Sequence, residues 1–201
     1  MFIKNLEKED FNEVLSVAES AFFEEELYKW TVPNASERGA FIKNFFQFRL
    51  ESGFGKRLME AAINDSKKIM GVAVWVPPVL ENDREDILQS KSLFMNFISK
   101  FSDDIQERCF QFINTVEEAE KNFDKPYWIL APVFVKKEMQ GKEVASFLIR
   151  SRLKLIDMKR LPCILVTQEE NNIPIYTKYG FEVAVEAPVN TKIKSYGMIR
   201  K

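Results

Sequence analysis

The chain has 201 residues, 46% hydrophobic and 29% charged, which is enough apolar material for a packed core and argues against disorder. Its 29 Lys and Arg nearly balance 30 Asp and Glu, so the net charge of −1 supplies no global basic field for nucleic acid or acidic lipid. Histidine is absent, which removes Ser-His-Asp and Cys-His catalysis, His-ligated zinc and any imidazole base.

Any chemistry must therefore run on carboxylates, Tyr, Ser/Thr, Cys, Lys, backbone groups or a bound cosubstrate. Cys109 and Cys163 are too few for a disulfide framework or a Cys-rich metal centre, and they read as small buried hydrophobes in a reducing compartment. No stretch approaches the ~20 apolar residues of a membrane span. Residues 1–7 carry no signal-peptide core, so a cytoplasmic location without a membrane partner is expected. The length suits one domain spanning 1–201.

In chain order, residues 2–6 alternate apolar and polar and predict a strand. Phe11, Val14, Leu15, Ala18, Ala21 and Phe22 then keep helical spacing, with Asp10 as the expected cap and Glu13 completing a capping box. Residues 24–36 hold Pro33 and Asn34 and read as a loop. A second helix carries Phe41, Phe45 and Phe48 on one stripe, with Ile42 and Phe46 beside it. Residues 57–63 and 69–77 flank the polar turn 64–68 as a hairpin that Pro77 and Pro78 end. Residues 83–124 hold no strand pattern. Ile105, Cys109, Phe112, Ile113 and Val116 predict helix there, and the segment reads as two helices broken near Phe101, Ser102 and Asp103.

The C-terminal part changes character. Residues 127–135 are nearly all apolar, as a strand buried on both faces is. Helix is predicted for 141–158, strand for 163–167, a short helix for 173–179, and strands for 181–185 and 192–200. A hairpin in the first half and alternating strands and helices in the second imply an α/β (α+β) domain with a mixed sheet. Pro132 cannot donate to a ladder, so the buried strand is expected to be bulged or splayed there, freeing neighbouring amides. The segment after it, 135–146, combines small Gly141, Ala145 and Ser146 with Lys136, Lys137 and Lys142 at a helix start. That suits phosphate, because a helix N-terminus presents unpaired N–H groups and partial positive charge, although an ordinary strand-to-helix turn looks similar.

Two motifs carry a resemblance. Trp128-Ile129-Leu130-Ala131-Pro132-Val133-Phe134-Val135, followed by Gln140-Gly141-Lys142-Glu143-Val144-Ala145, resembles the central signature of the GNAT N-acetyltransferase superfamily, a strand and then Gln/Arg-x-x-Gly-x-Gly/Ala. Asn172, Tyr176 and Gly180-Phe181-Glu182 resemble its second signature, in the right order and spacing. Ala21-Phe22, Trp30 before Pro33, the segment 71–78, the helical insertion at about 83–124 and the ending 196–201 are similar to the branch that includes puromycin N-acetyltransferase.

The resemblance implies a mostly antiparallel sheet with a splayed parallel strand pair, and acetyl-CoA as cosubstrate with no metal. The pantetheine arm would follow Val133, Phe134 and Val135. The diphosphate would rest on Gln140, Gly141, Lys142, Val144, Ala145 and Ser146. A backbone N–H near Phe134 would polarise the thioester carbonyl. Asn172 would hydrogen-bond the cofactor arm, a helix cap being its structural alternative. Tyr176 would act as general acid to the departing thiolate, a packed aromatic being the alternative. The implied reaction is direct acetyl transfer to a primary amine of a small molecule, by a monomer or homodimer with no nucleic-acid partner. Glu143 stands where the signature has its first glycine, and on that ground a non-catalytic acetyl-CoA-binding sensor is the alternative, with a purely structural α/β domain as a third reading. The base is open. Glu24, Glu25 and Glu26 precede Tyr28 and Trp30 in a loop bordering the acceptor site of this family, and Tyr28, Trp30 and Trp75 are candidate walls of an acceptor pocket.

Overall fold

The computed structural model describes residues 1–78 and 84–201, so Asp83, at the head of the expected insertion, lies outside the described residues. The first half runs β1 (Phe2–Asn5), α1 (Phe11–Phe22), α2 (Glu26–Thr31), α3 (Ala35–Gly53), β2 (Leu58–Ile63) and β3 (Ile69–Val76). The helices α4 (Arg84–Ile98) and α5 (Asp103–Glu120) follow. The second half runs β4 (Trp128–Val135), α6 (Val144–Met158), β5 (Cys163–Thr167), α7 (Ile173–Thr177), β6 (Glu182–Pro188) and β7 (Lys194–Arg200).

The strands form one seven-stranded sheet in the order β1-β2-β3-β4-β5-β7-β6. Every neighbouring pair is antiparallel except β4 and β5. This is the mixed, mostly antiparallel sheet with one parallel pair that the motifs implied. On one face α1 and α3 bury Val14, Val17, Ile42, Phe45 and Phe46 against Val72, Val74 and Phe134. On the other, α6 buries Leu148, Ile149 and Ile156 with Ala73, Trp75, Trp128 and Leu165.

Phenylalanine contacts seat α4 on α3. The ring of Phe41 meets Phe97 at 5.4 Å and Phe101 at 5.0 Å, and Phe48 meets Phe94 at 5.5 Å. Such pairs add about 0.5–1.5 kcal/mol each beyond the area they bury. The apolar stripe read from the sequence thus serves two partners, the sheet and the inserted helices.

Gly71 sets how closely α6 approaches the sheet. A Cβ there would stand 2.9 Å from Val144 Cγ1 and 3.0 Å from the Phe134 carbonyl oxygen. Only a glycine lets the first residue of α6 sit over β3 where β3 pairs with β4.

Three expectations are corrected. Residues 24–36 are not all loop: α2 forms because Leu27, Tyr28 and Thr31 bury one helical face. Pro33 and Asn34 mark its end rather than a continuous loop, and Asn34 caps α3 by accepting from the Ser36 amide at 3.1 Å. Asp10 makes no side-chain cap to α1. Instead it accepts from the Glu7 amide at 2.9 Å, and Glu13 reaches across to the Ile69 amide at 3.0 Å, so the box lies one turn earlier. The helix expected from residue 141 begins at Val144, because Gly141 and Glu143 both have positive φ, +75° and +62°. Cys109 and Cys163 are buried, and burial pushes both thiols up to about 12, so neither is a thiolate near neutral pH.

Candidate active site

β4 and β5 pair only at Trp128 with Cys163 and Ile129 with Ile164. From Leu130 onward β4 has a partner on one side alone, while β5 stays paired to β7 as far as Thr167 with Tyr196. The parting begins next to Pro132, whose missing N–H forbids a continuous ladder. Ala131 and Pro132 also interrupt the β3–β4 register, which jumps from Ala73 with Val133 to Trp75 with Leu130.

The phase of that ladder decides which amides face the gap. Lys136 donates to the Met70 carbonyl at 2.9 Å, so Phe134 and Val72 form the next hydrogen-bonded pair. The Phe134 amide thus points to β3, and the amides on either side of it, Val133 and Val135, point toward β5. The Phe134 ring turns to the α1/α3 face, 5.5 Å from Phe22 and 5.2 Å from Phe46.

The turn after β4 is tied down at both ends. The Lys137 amide donates to Ser20 Oγ at 3.2 Å, and Gln140 Nε2 donates to the Val135 carbonyl at 3.3 Å. Gly141, Lys142 and Glu143 are exposed, and a Cβ added at Gly141 meets nothing within 4 Å. Val144 is buried against the sheet, whereas Ala145 and Ser146 are half-buried at the helix start. No side chain caps α6, and among the described residues the amides of Val144, Ala145 and Ser146 have no acceptor. Three clustered donors with a helix dipole behind them are an anion cradle, and small Ala145 keeps it accessible. Glu143 keeps the left-handed conformation that a glycine adopts without cost. Lys136 pairs with Glu138 at 2.6 Å.

Tyr176 stands in α7, half-buried, with its ring edge-on to Phe181 at 6.1 Å. Burial holds its phenol above the usual range, and the charge of Glu25 and then Tyr179 push the same way. It therefore stays protonated throughout the physiological range. Asn172 makes no side-chain cap to α7. Its Nδ2 donates to Thr167 Oγ1 at the end of β5, at 3.4 Å.

The run of three glutamates is split by the start of α2. Exposed Glu24 and Glu26 both pair with Lys29, each at 3.3 Å. Glu25 is half-buried, and burial, with the charge of Glu169 second, raises its carboxyl to about 8. Glu169, at the β5–α7 turn, is itself raised, chiefly by burial. Glu25 also bears on Tyr28, whose phenol is raised first by burial. The charge of Glu25 thus reaches Tyr176 as well as Tyr28. The sequence did not separate Glu25 from its neighbours; the signal was its helical spacing, three residues before the buried Tyr28.

Of the proposed pocket walls, Tyr28 lies on the α1/α3 face, but Trp75 is fully buried on the opposite face beneath α6 and belongs to the core. Trp30 is half-buried, and its carbonyl accepts from Arg108 of α5 at 3.4 Å. No described helix is long and apolar enough to cross a membrane.

No protein-family model matches the chain. Solved structures do. An acetyltransferase from Corynebacterium glutamicum, described as histone acetyltransferase HPA2 and related, superposes with a TM-score of 0.69 at 17% identity, covering 98% of this chain and 94% of that one. Arylalkylamine N-acetyltransferase 2 from Aedes aegypti gives 0.64 at 14% identity over 99% of this chain and 97% of that one. A PaiA N-acetyltransferase from Thermoplasma acidophilum, crystallised with coenzyme A, gives 0.57 at 16% identity over 100% and 98%. With the parted β4–β5 pair and the uncapped helix start, this likeness shows that the chain has the fold of the GNAT acetyltransferases.

Proposed function

We propose that the protein is an acetyl-CoA-dependent N-acetyltransferase of the GNAT superfamily, one domain over 1–201 with α4 and α5 as its insertion, acting in the cytoplasm on a primary amine of a small molecule. The observation that carries this reading is geometric: β4 and β5 pair only at Trp128 with Cys163 and Ile129 with Ile164 and then part beside the uncapped start of α6, and Glu25 and Tyr176 are the groups offered for proton transfer. General acid–base transfer needs one group ready to take a proton and another ready to give one. The puromycin-like branch remains a proposal resting on Trp30, Pro33 and the two inserted helices.

Acetyl-CoA supplies an activated acetyl group as a thioester. The unpaired edge of β4 and the amides of Val144, Ala145 and Ser146, with Gln140, Gly141 and Lys142 before them, fit its polar arm and diphosphate. The amide of Val133 or Val135 donates to the thioester oxygen, the role expected of a backbone N–H near Phe134. Asn172, in the turn between β5 and α7, bonds the arm in this reading. Glu25, directly or through one water, takes the proton of the attacking amine. The new C–N bond replaces the C–S bond, and Tyr176 passes its proton to sulfur, so amide and free thiol leave together. A thiol with a pKa of about 8.5 ends protonated at neutral pH, and a phenol hydrogen-bonded to the sulfur stabilises the negative charge that develops as the C–S bond breaks.

The sensor alternative rested on Glu143. Its side chain is exposed and its backbone is already glycine-like, which favours the catalytic reading. Glu143→Gly should raise stability by about 1 kcal/mol, less the few tenths that its helix-dipole interaction supplies. It should tighten acetyl-CoA binding about two- to fivefold, read by calorimetry. Weaker binding would show that Glu143 assists the site. For the function itself, calorimetry with acetyl-CoA should give saturable heat, and an amine panel should release free thiol. No heat and no thermal shift at millimolar acetyl-CoA rejects the proposal, and heat without thiol release favours the sensor.

A further inference from the structure

We infer that the acceptor amine also carries an oxyanion, a carboxylate or a phosphate, and that Arg49 and Arg57 bind it. The inference rests on the transferase reading and names the substrate class of the same cleft.

Arg49 occupies an apolar position of α3. It lies on the stripe of Ile42, Phe45 and Phe46, where its guanidinium sits 5.6 Å over the Phe45 ring. One of its nitrogens donates to the Ala131 carbonyl at 3.2 Å, two residues past the last β4–β5 pair. Its Nε is enclosed and has no acceptor among the described residues. A donor of a charged group left unsatisfied inside a protein is costly, and most such groups have a partner.

Arg57, half-buried just before β2, lays its side chain over Gly53, one turn of α3 beyond Arg49: a Cβ at Gly53 would stand 2.6 Å from Arg57 Cδ. Burial, and after it the charge of Arg49, lower its guanidinium to about 10. Among the described residues neither arginine has a carboxylate within salt-bridge distance. The charge of Glu120 reaches both, but burial opposes its ionisation. Two cations facing one reluctant carboxylate leave local positive charge that an oxyanion neutralises, and a guanidinium fork matches carboxylate or phosphate geometry.

The place fits a substrate that spans two sites. On this face the apolar core is interrupted: one cluster ends at Phe134 and another begins with Ile129 and Ile164. Arg49 bonds β4 inside that interruption. Tyr28 is the link: it lies three residues after Glu25 and is buried in the cluster that holds Phe45, the ring that Arg49 covers. An amine brought to Glu25 therefore directs the rest of its molecule past Tyr28 toward the arginines. A polyamine of similar length would instead meet like charge.

The test compares matched acceptors at saturating acetyl-CoA: an amino acid against its carboxamide, and an aminoalkyl phosphate against the amino alcohol. The wild-type protein should favour the oxyanion-bearing member in kcat/KM by at least about tenfold, and whichever pair shows the larger gap identifies carboxylate or phosphate. Arg57→Gln and Arg49→Lys should shrink that gap about tenfold through KM, with the Kd for acetyl-CoA unchanged. Arg57→Gln, at a strand start, keeps the test sound if the Arg49 variant fails to fold. Equal or faster turnover of the neutral members, or a gap that survives both substitutions, overturns the inference and leaves the transferase reading standing. Thiol release with no amine at all, while acetyl-CoA binds, overturns both.

Discussion

Glu25→Gln is expected to lower kcat/KM for the amine by about 10²- to 10⁴-fold at pH 8, the range a positioned general base supplies. The physical basis is the raised carboxyl: burial first, then the charge of Glu169, bring it to about 8. Below that pH the group is protonated and cannot accept; above it the carboxylate is formed. The wild-type log(kcat/KM) should therefore rise with a slope of one up to about 8 and then flatten, and the variant should lose that inflection. Stability supplies a control with a definite sign. A carboxyl whose folded pKa exceeds its unfolded value of about 4.3 binds its proton more tightly in the native state. It costs nothing below pH 4, costs progressively more as pH rises through this window, and reaches a constant cost above about 8. The glutamine variant should thus melt higher than the parent at pH 8 while being far slower. A variant that is both slow and unstable would point to a structural role, and an unchanged pH profile would remove Glu25 from the mechanism.

Tyr176→Phe is expected to lower kcat by about 10²-fold with little change in acetyl-CoA affinity. The substitution keeps the ring, and hence the edge-on contact with Phe181, and deletes only the hydroxyl. Burial and the charge of Glu25 hold that hydroxyl protonated well beyond the alkaline end of the assay range, so its loss should not shift the inflection near 8. The two variants are thus separable: one removes an inflection, the other lowers the whole profile. Because both groups serve one transfer, their effects should fall short of additive in the double variant. An unchanged rate for Tyr176→Phe would assign departure of the thiol to solvent.

Much of the fold was legible because it rests on local pattern. The phenylalanine spacing of α3, the polar turn between β2 and β3, and the break at Phe101-Ser102-Asp103 are short-range signals, and each element lies where its periodicity placed it. The loop expected at 24–36 was misread because six residues of α2 are too short to show a period. Their helix is held by burying Leu27, Tyr28 and Thr31 against partners elsewhere in the chain. The early start expected for α6 failed for a different reason: Lys142 and Glu143 are good helix formers, but the turn over Gly71 requires positive φ at Gly141 and Glu143.

The candidate site divides along the same line. Pro132 in an otherwise apolar strand pointed directly to a break in the ladder, since a missing N–H is a property of one residue. The phase that sends the Val133 and Val135 amides, and not that of Phe134, toward the gap depends on the pairing of β4 with β3.

Composition excluded imidazole chemistry, residue spacing located the strand, turn and helix start that suit a phosphate, and the resemblance of two motifs implied acetyl-CoA. Those conclusions follow from covalent identity and neighbouring backbone preference, which the chain carries wherever it folds. Which of three adjacent glutamates is titratable near neutrality, and why an arginine lies among phenylalanines, follow from contacts between residues far apart in the chain: Arg49 and Ala131 are separated by 82 positions. Burial and charge act through space, so protonation and unpaired donors are set when α2, α3 and α5 close over the parted strands.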